Sequence, residues 1–352
     1  MNAQVISVEP ASSGTPGKRT AGLSSLWQQT RSFRPALAVL CTLFVVMSLV
    51  NEEFRTLDNL ENVAVSVSIL WMIALGATFV QLTGGIDLSS GAIAALAGIC
   101  LADLLATAVP GPLVIVLVIL FGAAVGALAN GLLVGVLGLN VFVVTLASMT
   151  ALTGIVSLWS DTQSVYVTSA TVTRLSSGRL IGVPVPVLLM LLTLALFLFL
   201  QSRTYFGRDL YAIGGSPVAA RLSGIRAPRT LVVVYALAGA MAALGGIIAV
   251  GRVGAAAPQP DNTLPLSAIA AVLLGGTALA GGAGGVGGTA LGVLLIGVLQ
   301  NGLSLSNVPT FWQQVVTGTV LVLAVLGDRG YAPRGLAVRL RRRRTPVVGS
   351  SA

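Results

Sequence analysis

The side chains that usually carry catalysis are nearly absent from this chain. Its 352 residues include no His and two Cys, Cys41 and Cys100, both inside apolar runs. That removes His-based triads, His metal sites and His proton relays, and leaves no disulfide framework or thiolate metal cluster. Gly282-x-Gly284-x-x-Gly287 has the spacing of a dinucleotide-binding turn. It lacks the preceding strand and the following acidic ribose ligand, however, and the next acid is Asp328. It predicts a tight Gly-rich turn between two apolar helices. Gly14 to Lys18 has neither the Walker A spacing nor the Ser/Thr after Lys, so no P-loop for ATP is present. The expectation is a chain that is not an enzyme and binds no metal or cofactor of its own.

The segment Gly84-Gly85-Ile86-Asp87-Leu88-Ser89-Ser90-Gly91 is more informative. Paired glycines, an acid and hydroxyls interrupt two apolar helices. A charge at membrane depth costs about 2.5 kcal/mol or more. Asp87 therefore reads as an N-cap for a helix beginning at Leu88, as a pathway or coupling residue, or as both. No second buried ionisable residue pairs with it to make a proton relay.

These residues sit in a chain built for lipid. Hydrophobic residues make up 55% and charged residues 9%, with 42 Gly besides. Ordinary soluble domains carry about 25% charged residues, so a water-soluble enzyme is excluded. The high hydrophobicity also excludes disorder. A span needs about 20 apolar residues. Ten candidate runs occupy residues 35–50, 60–82, 88–109, 112–138, 141–160, 184–201, 230–250, 264–281, 286–305 and 309–327. They are continuously apolar, without the alternation of a membrane barrel. The predicted fold class is thus all-α, a polytopic membrane protein of about ten helices. Residues 1–34 form an N-terminal tail, 35–328 the membrane domain and 329–352 a basic C-terminal tail.

The net charge of +9 fixes an orientation. With both termini inside, the inner segments hold 16 of the 20 Lys/Arg and four of the eleven acids, or +12. The outer segments hold four basic and seven acidic residues, or −3. This obeys the positive-inside rule and makes a nucleic-acid partner unnecessary.

Three glycine pairs, Gly122/Gly126, Gly131/Gly135 and Gly288/Gly292, have the four-residue spacing of close helix packing in lipid. A faint repeat relates Ser90–Ala95 and Asn130-Gly131-Leu132 to Ser267–Ala271 and Asn301-Gly302-Leu303. Between the halves lies the basic inner segment 202–229. Within it, Pro217 to Ser223 predicts a short helix closed by Gly224, with Ala219, Ala220 and Leu222 as an apolar face beside Arg221. Such a helix suits docking to a soluble partner, or lying on anionic lipid.

Four stretches together resemble the permease subunits of monosaccharide ABC importers, in the ribose/xylose/galactose-type branch. They are Leu82–Ser89, Val143–Leu146, Phe206–Gly215 continuing through Ala219–Ile225, and Ala268–Thr277 continuing to Phe311–Val315. The resemblance covers roughly residues 35–328. It implies a multi-pass protein of the bacterial inner membrane that forms the path for a sugar. The implied partners are a second permease copy, identical or a paralogue, a cytoplasmic ATPase holding ATP and Mg, and an extracytoplasmic sugar-binding protein. Carried over, Ser216, Ala219, Ala220, Arg221, Leu222, Ser223 and Gly224 become the segment that meets the ATPase. Gly84, Gly85, Asp87, Asn130, Thr145, Asn301 and Gln313 are pathway or gating candidates, and the polar ones could equally bond helix to helix. The sequence departs from the family pattern at Ser216-Pro217-Val218, where an Asn and two acids are usual. It departs again at Pro265 and Ser267, where acids are usual. An ion-coupled secondary transporter, and an ABC permease for a nucleoside, inositol or signalling sugar, are the alternatives.

Overall fold

The structure, a computed structural model, describes residues 23–330; the N-terminal residues before Leu23 and the Arg-rich end beyond Gly330 lie outside it. Thirteen α-helices run through the described residues: α1 (Leu23–Val50), α2 (Leu57–Leu82), α3 (Ser90–Leu105), α4 (Gly111–Val125), α5 (Val141–Trp159), α6 (Ala170–Ser177), α7 (Val185–Arg203), α8 (Tyr205–Gly215), α9 (Pro217–Leu222), α10 (Ala227–Val253), α11 (Thr263–Leu274), α12 (Val286–Leu305) and α13 (Thr310–Gly330). Helix α4 continues without a break as a π-helix over Gly126–Val136. The all-α class is as expected, and a helix occupies each of the ten apolar runs. Among the described residues, α2, α4 with its extension, α5, α7, α10 and α12 are long and apolar enough to cross a membrane by themselves. Helix α1 starts at Leu23, twelve residues before the apolar run. The apolar run bounds the part suited to lipid, whereas polar residues extend a helix readily.

Helices α2 and α10 form the centre of the molecule. Both bury most of their length, and α3, α4, α11, α12 and α7 pack around them. Lipid gives helices no hydrophobic reason to associate, so contact rests on close approach of small residues. Gly122, Gly126, Gly131 and Gly135 follow one edge of α4 along α10. A Cβ on them would strike the Gly239 carbonyl, the Tyr235 carbonyl, Val232 and the Pro228 carbonyl in turn. The step from Gly126 to Gly131 is five residues, which an α-helix would turn away from the contact. The π-helix, with its i→i+5 bonding, returns Gly131 to the same face. Gly288 and Gly292 of α12 lie likewise against Gly275 and the Ala271 carbonyl of α11. All three predicted glycine pairs are therefore packing surfaces.

Two helices are short for a reason. At 1.5 Å per residue, α3 is about 24 Å long and α11 about 18 Å, against about 30 Å of hydrocarbon. Each continues as non-helical chain, residues 83–89 before α3 and 275–285 after α11. Gly91 in the first turn of α3 packs on the Asp261 carbonyl and Pro265, so the starts of the two short helices meet inside the bundle. On the other side, Val165 and Tyr166 pair antiparallel with Ala256 and Ala255 and tie the long 160–184 connection to the end of α10.

Gly239→Leu drives a side chain into the Gly122 carbonyl. It is expected to lower stability by about 1–3 kcal/mol, read as an earlier thermal unfolding midpoint of the detergent-solubilised protein.

Candidate functional site

Three polar regions stand out in this apolar body. The first surrounds the break before α3. Helix α3 begins at Ser90, not Leu88, so Asp87 is not its N-cap. Its carboxylate instead accepts from the Ser89 amide at 2.8 Å and from the Ser89 hydroxyl at 2.6 Å, closing a turn two residues ahead of the helix. The Asn130 amide nitrogen donates to the Ser89 oxygen at 2.7 Å, and the Thr145 hydroxyl donates to the Ile86 carbonyl at 3.1 Å. Asp87, Ser89, Asn130 and Thr145 are all buried. The site thus gathers Gly84, Gly85, Asp87, Asn130 and Thr145, five of the seven pathway candidates, from the α2–α3 break, the π-helix and α5. Their side chains hold the interrupted backbone. The hydroxyl of Tyr235, the Ser90 hydroxyl and the Asn130 oxygen are buried there without a protein partner.

The second region is the glycine loop and what grips it. Positive φ at Gly276, Gly281, Gly282, Gly284 and Gly285 makes residues 275–285 the tight turn expected, a conformation other residues adopt at a cost. Each strand of this turn is tied to a different element. The Gly282 amide donates to the Leu82 carbonyl at 2.9 Å, and the Tyr211 hydroxyl donates to the Gly284 carbonyl at 2.7 Å. The Val286 amide donates to the Gln201 side-chain oxygen at 2.8 Å, and the Gly285 amide to the Thr277 hydroxyl at 3.1 Å. Gly214 of α8 has no room for a Cβ between the Leu82 carbonyl and Gly282. Helix α8 therefore sits directly on the ends of α2 and the glycine loop.

Helix α9 projects from that platform. Ser216 caps it, accepting from the Ala219 amide at 3.3 Å. The far end is a complete Schellman motif: the Gly224 amide reaches the Arg221 carbonyl and the Ile225 amide the Ala220 carbonyl, both at 3.0 Å, with Gly224 at φ 81°. The closure at Gly224 is as expected, with Ser223 the cap residue. The apolar face differs at one residue. Ala220 turns inward and is buried, while Ala219, Arg221 and Leu222 are exposed together with Val218. A six-residue helix is too short to keep one whole face inward, and its buried contact falls on Ala220 alone. Arg208 lies over the Tyr205 ring at 4.1 Å on the same platform.

The third region was not legible as a site. A cavity of about 630 Å3 opens between α11, α12 and α13. Asp261, Thr263 and Ser267 line it on one side, Gln300 on another, and Thr310, Gln313, Gln314 and Thr317 on the third. Gln313 alone among the candidates reaches it. The signal was present in the sequence: positions 310, 313, 314 and 317 recur on one helical face. Asn301 is elsewhere, locked in a reciprocal amide pair with Asn59 at 3.0 and 2.9 Å. Among the described residues no cluster of three metal-ligating side chains occurs.

A bundle of long apolar helices with interrupted segments and a polar cavity fits a membrane transport subunit. Residues 59–325 match the family of branched-chain amino acid transport system permease components. The chain belongs to this family of ABC-importer permeases. It is 42% identical over 289 residues to the ribose import permease protein of Bacillus subtilis, covering 82% of this chain and 89% of that one. It is 37% identical to the ribose import permease protein of Escherichia coli K12, over 83% of this chain and 92% of that one. To the D-allose transport system permease protein of the same strain it is 36% identical, over 89% and 95%. No solved structure matches the chain. The protein is accordingly a permease of the monosaccharide ABC-importer kind, a multi-pass protein of the inner membrane, and its relatives are transport subunits, not enzymes.

Ser89→Ala removes the donor to Asp87 and the acceptor of Asn130. It is expected to cost about 1–3 kcal/mol, as unpaired buried groups do, and Thr145→Val about 0.5–1.5 kcal/mol. Thermal unfolding followed by tryptophan fluorescence checks both. Burial pushes the Tyr211 hydroxyl up to about 12 from its ordinary value near 10. A raised value favours the protonated, folded form. The contribution of this contact is therefore whole at neutral pH and is lost as pH rises through about 10 to 12; Tyr211→Phe should flatten that alkaline loss.

Proposed function

We propose that this chain is the membrane-spanning subunit of an ATP-driven importer, forming a gated path for a monosaccharide delivered by an extracytoplasmic binding protein. It works as a homodimer, or beside a paralogue, in the lipid of the bacterial inner membrane, with both termini cytoplasmic. The ATPase is a separate subunit that holds ATP and Mg, and this chain binds neither. Family membership supports the ATPase and binding-protein partners in general. The charge asymmetry between inner and outer segments supports the orientation.

The observation that carries the coupling role is the placement of α8 and α9. Ser216, Ala219, Arg221, Leu222, Ser223 and Gly224 stand out from the inner face, with Ala220 as the root that anchors them. Arg203, Arg208, Arg221, Arg226 and Arg229 surround this segment, with Asp209 the one acid among them. The usual acids are replaced by Ser216-Pro217-Val218, so the docking surface is basic and apolar. It calls for an acidic groove on the ATPase. Closure of the ATPase pair pulls α9 and α8, and the Tyr211, Gly214 and Gln201 contacts carry that displacement to the glycine loop and to the ends of α2 and α11. Rigid-body shifts of packed helices are the usual form of such transmission. Asp87, Asn130 and Thr145 hold the broken α2–α3 connection in register while this occurs.

Asp87 is the one buried acid among the described residues, which gives an ion-coupled carrier no carboxylate pair to work with. The names of the relatives favour a pentose or hexose over a nucleoside or inositol.

Arg221→Glu is expected to lower sugar-stimulated ATP hydrolysis about tenfold, the effect of about 1.4 kcal/mol, while the protein still inserts in the membrane. Unchanged coupling would refute the docking role. The wider reading is checked in proteoliposomes carrying the permease, its ATPase and its binding protein. Uptake must require ATP, and uptake driven by an ion gradient without ATP overturns it.

A further inference from the structure

We infer that the cavity between α11, α12 and α13 is a sugar subsite on the path, with Gln300, Gln314 and Thr317 as its contact residues. The inference rests on the importer reading above and adds to it the place where the substrate is held.

The lining brings polar side chains together from three helices. Thr310, Gln313, Gln314 and Thr317 stand at i, i+3, i+4 and i+7 and make one polar stripe down α13. Thr263 and Ser267 make a second stripe, one turn apart on α11, and Gln300 faces both from α12. The other sides of α13 present Phe311, Trp312, Val315, Val322, Leu323 and Leu326. An amide facing hydrocarbon leaves its hydrogen bonds unmade at a cost of several kcal/mol. Polar side chains inside a membrane accordingly face water-filled cavities or one another.

These groups are available. Gln313 spends its amide nitrogen on the Val308 carbonyl at 3.0 Å, and Thr317 its proton on the Gln313 carbonyl at 2.9 Å. The side chains of Gln300 and Gln314 make no hydrogen bond among the described residues. Their amides each offer two donors and an acceptor, which matches sugar hydroxyls that both give and take hydrogen bonds. The one charge at the wall is Asp261, and its Oδ1 is already engaged by the Thr263 amide at 2.8 Å and hydroxyl at 2.6 Å. No Lys or Arg lines the cavity, so an anionic substrate would find no counter-charge. A zwitterion would leave its carboxylate unpaired. A neutral polyhydroxy compound fits, and about 630 Å3 falls within the range of small-molecule sites, roughly 300–1,000 Å3.

The cavity is also placed to be gated. Its α11 wall runs straight into the glycine loop gripped by Tyr211 and Gln201, so movement of α8 displaces one wall relative to α13.

The test uses the whole assembly of permease, ATPase and binding protein in proteoliposomes, with D-ribose, D-allose and L-arabinose as probes. Gln300→Ala and Gln314→Ala are expected each to lower the kcat/KM of uptake at least tenfold, with the ATPase still stimulated by the loaded binding protein. Gln314→Asn should recover part of the loss. Thr319→Val, outside the cavity lining, should transport normally. A second readout covers variants that fail to assemble. In a Cys41→Ala/Cys100→Ala background, Gln314→Cys should react with an impermeant maleimide from outside, at least threefold more slowly during turnover with the transported sugar. Uptake by Gln300→Ala and Gln314→Ala at the unsubstituted rate overturns the subsite. So does Gln314→Cys that resists labelling, or cross-links to a second copy. Failure of the unsubstituted assembly to take up any of the three sugars overturns the importer reading instead.

Discussion

Every backbone amide and carbonyl at membrane depth must find its partner inside the protein, because lipid supplies none. The six long helices meet this demand by themselves. Residues 83–89 and 275–285 cannot, and a set of polar side chains is arranged around them. Asp87 and Ser89 close the first break, and Thr145 takes the Ile86 carbonyl. Gln201, Thr277 and Tyr211 satisfy the second. The second break then hydrogen-bonds to the end of α2, where the first begins, through Gly282 and the Leu82 carbonyl. Side chains from α5, α7 and α8 thus stand in for missing helical bonds, and each break is held in position by elements that lie apart from it in sequence.

That dependence has a mechanical consequence. Helices α4 and α10 meet backbone to backbone along four glycines, as do α11 and α12 along Gly275, Gly288 and Gly292. Contacts this close leave no slack for bending, so displacement must pass as movement of whole packed units. The places where units can shift are the breaks, whose ties are single hydrogen bonds rather than packed faces. The short α11 is a rigid rod between a break at one end and the cavity wall along its length.

The architecture was largely legible in the sequence, because apolar length and charge asymmetry are direct consequences of a lipid solvent. The glycine pairs were legible for the same reason, being the only means of close approach. The end of α9 at Gly224 was legible because a left-handed turn after a short helix calls for glycine. The role of Asp87 was not, since an acid next to serine fits an N-cap and an isolated turn equally well. Only the true helix start at Ser90 separates them. Asn301 and Asn130 look alike in sequence, each before Gly-Leu, yet one bonds Asn59 across helices and the other supports a loop. Their partners are about 240 and 40 positions away, and no local pattern carries that information. The cavity has no local signature because its walls come from three helices, of which α13 alone has a stripe long enough to read.

The scarcity of charge finally acquires a positive meaning. A path for a charged solute would have to bury compensating charges, each costing several kcal/mol, and then release its cargo from them. Amides and hydroxyls avoid both costs, since they bind weakly, in many orientations, and can be replaced by water. A chain that gathers Arg203, Arg208, Arg221, Arg226 and Arg229 about α8 and α9 and keeps its unpaired amides in the bundle separates two tasks. In the proposed mechanism the basic platform at α8 and α9 receives force through charge and close contact. The cavity at α11, α12 and α13 needs only neutral hydrogen bonding. Between them lies the glycine loop, in which Tyr211 and Gln201 hold backbone that no helix holds, so movement at the platform cannot leave the cavity wall where it was.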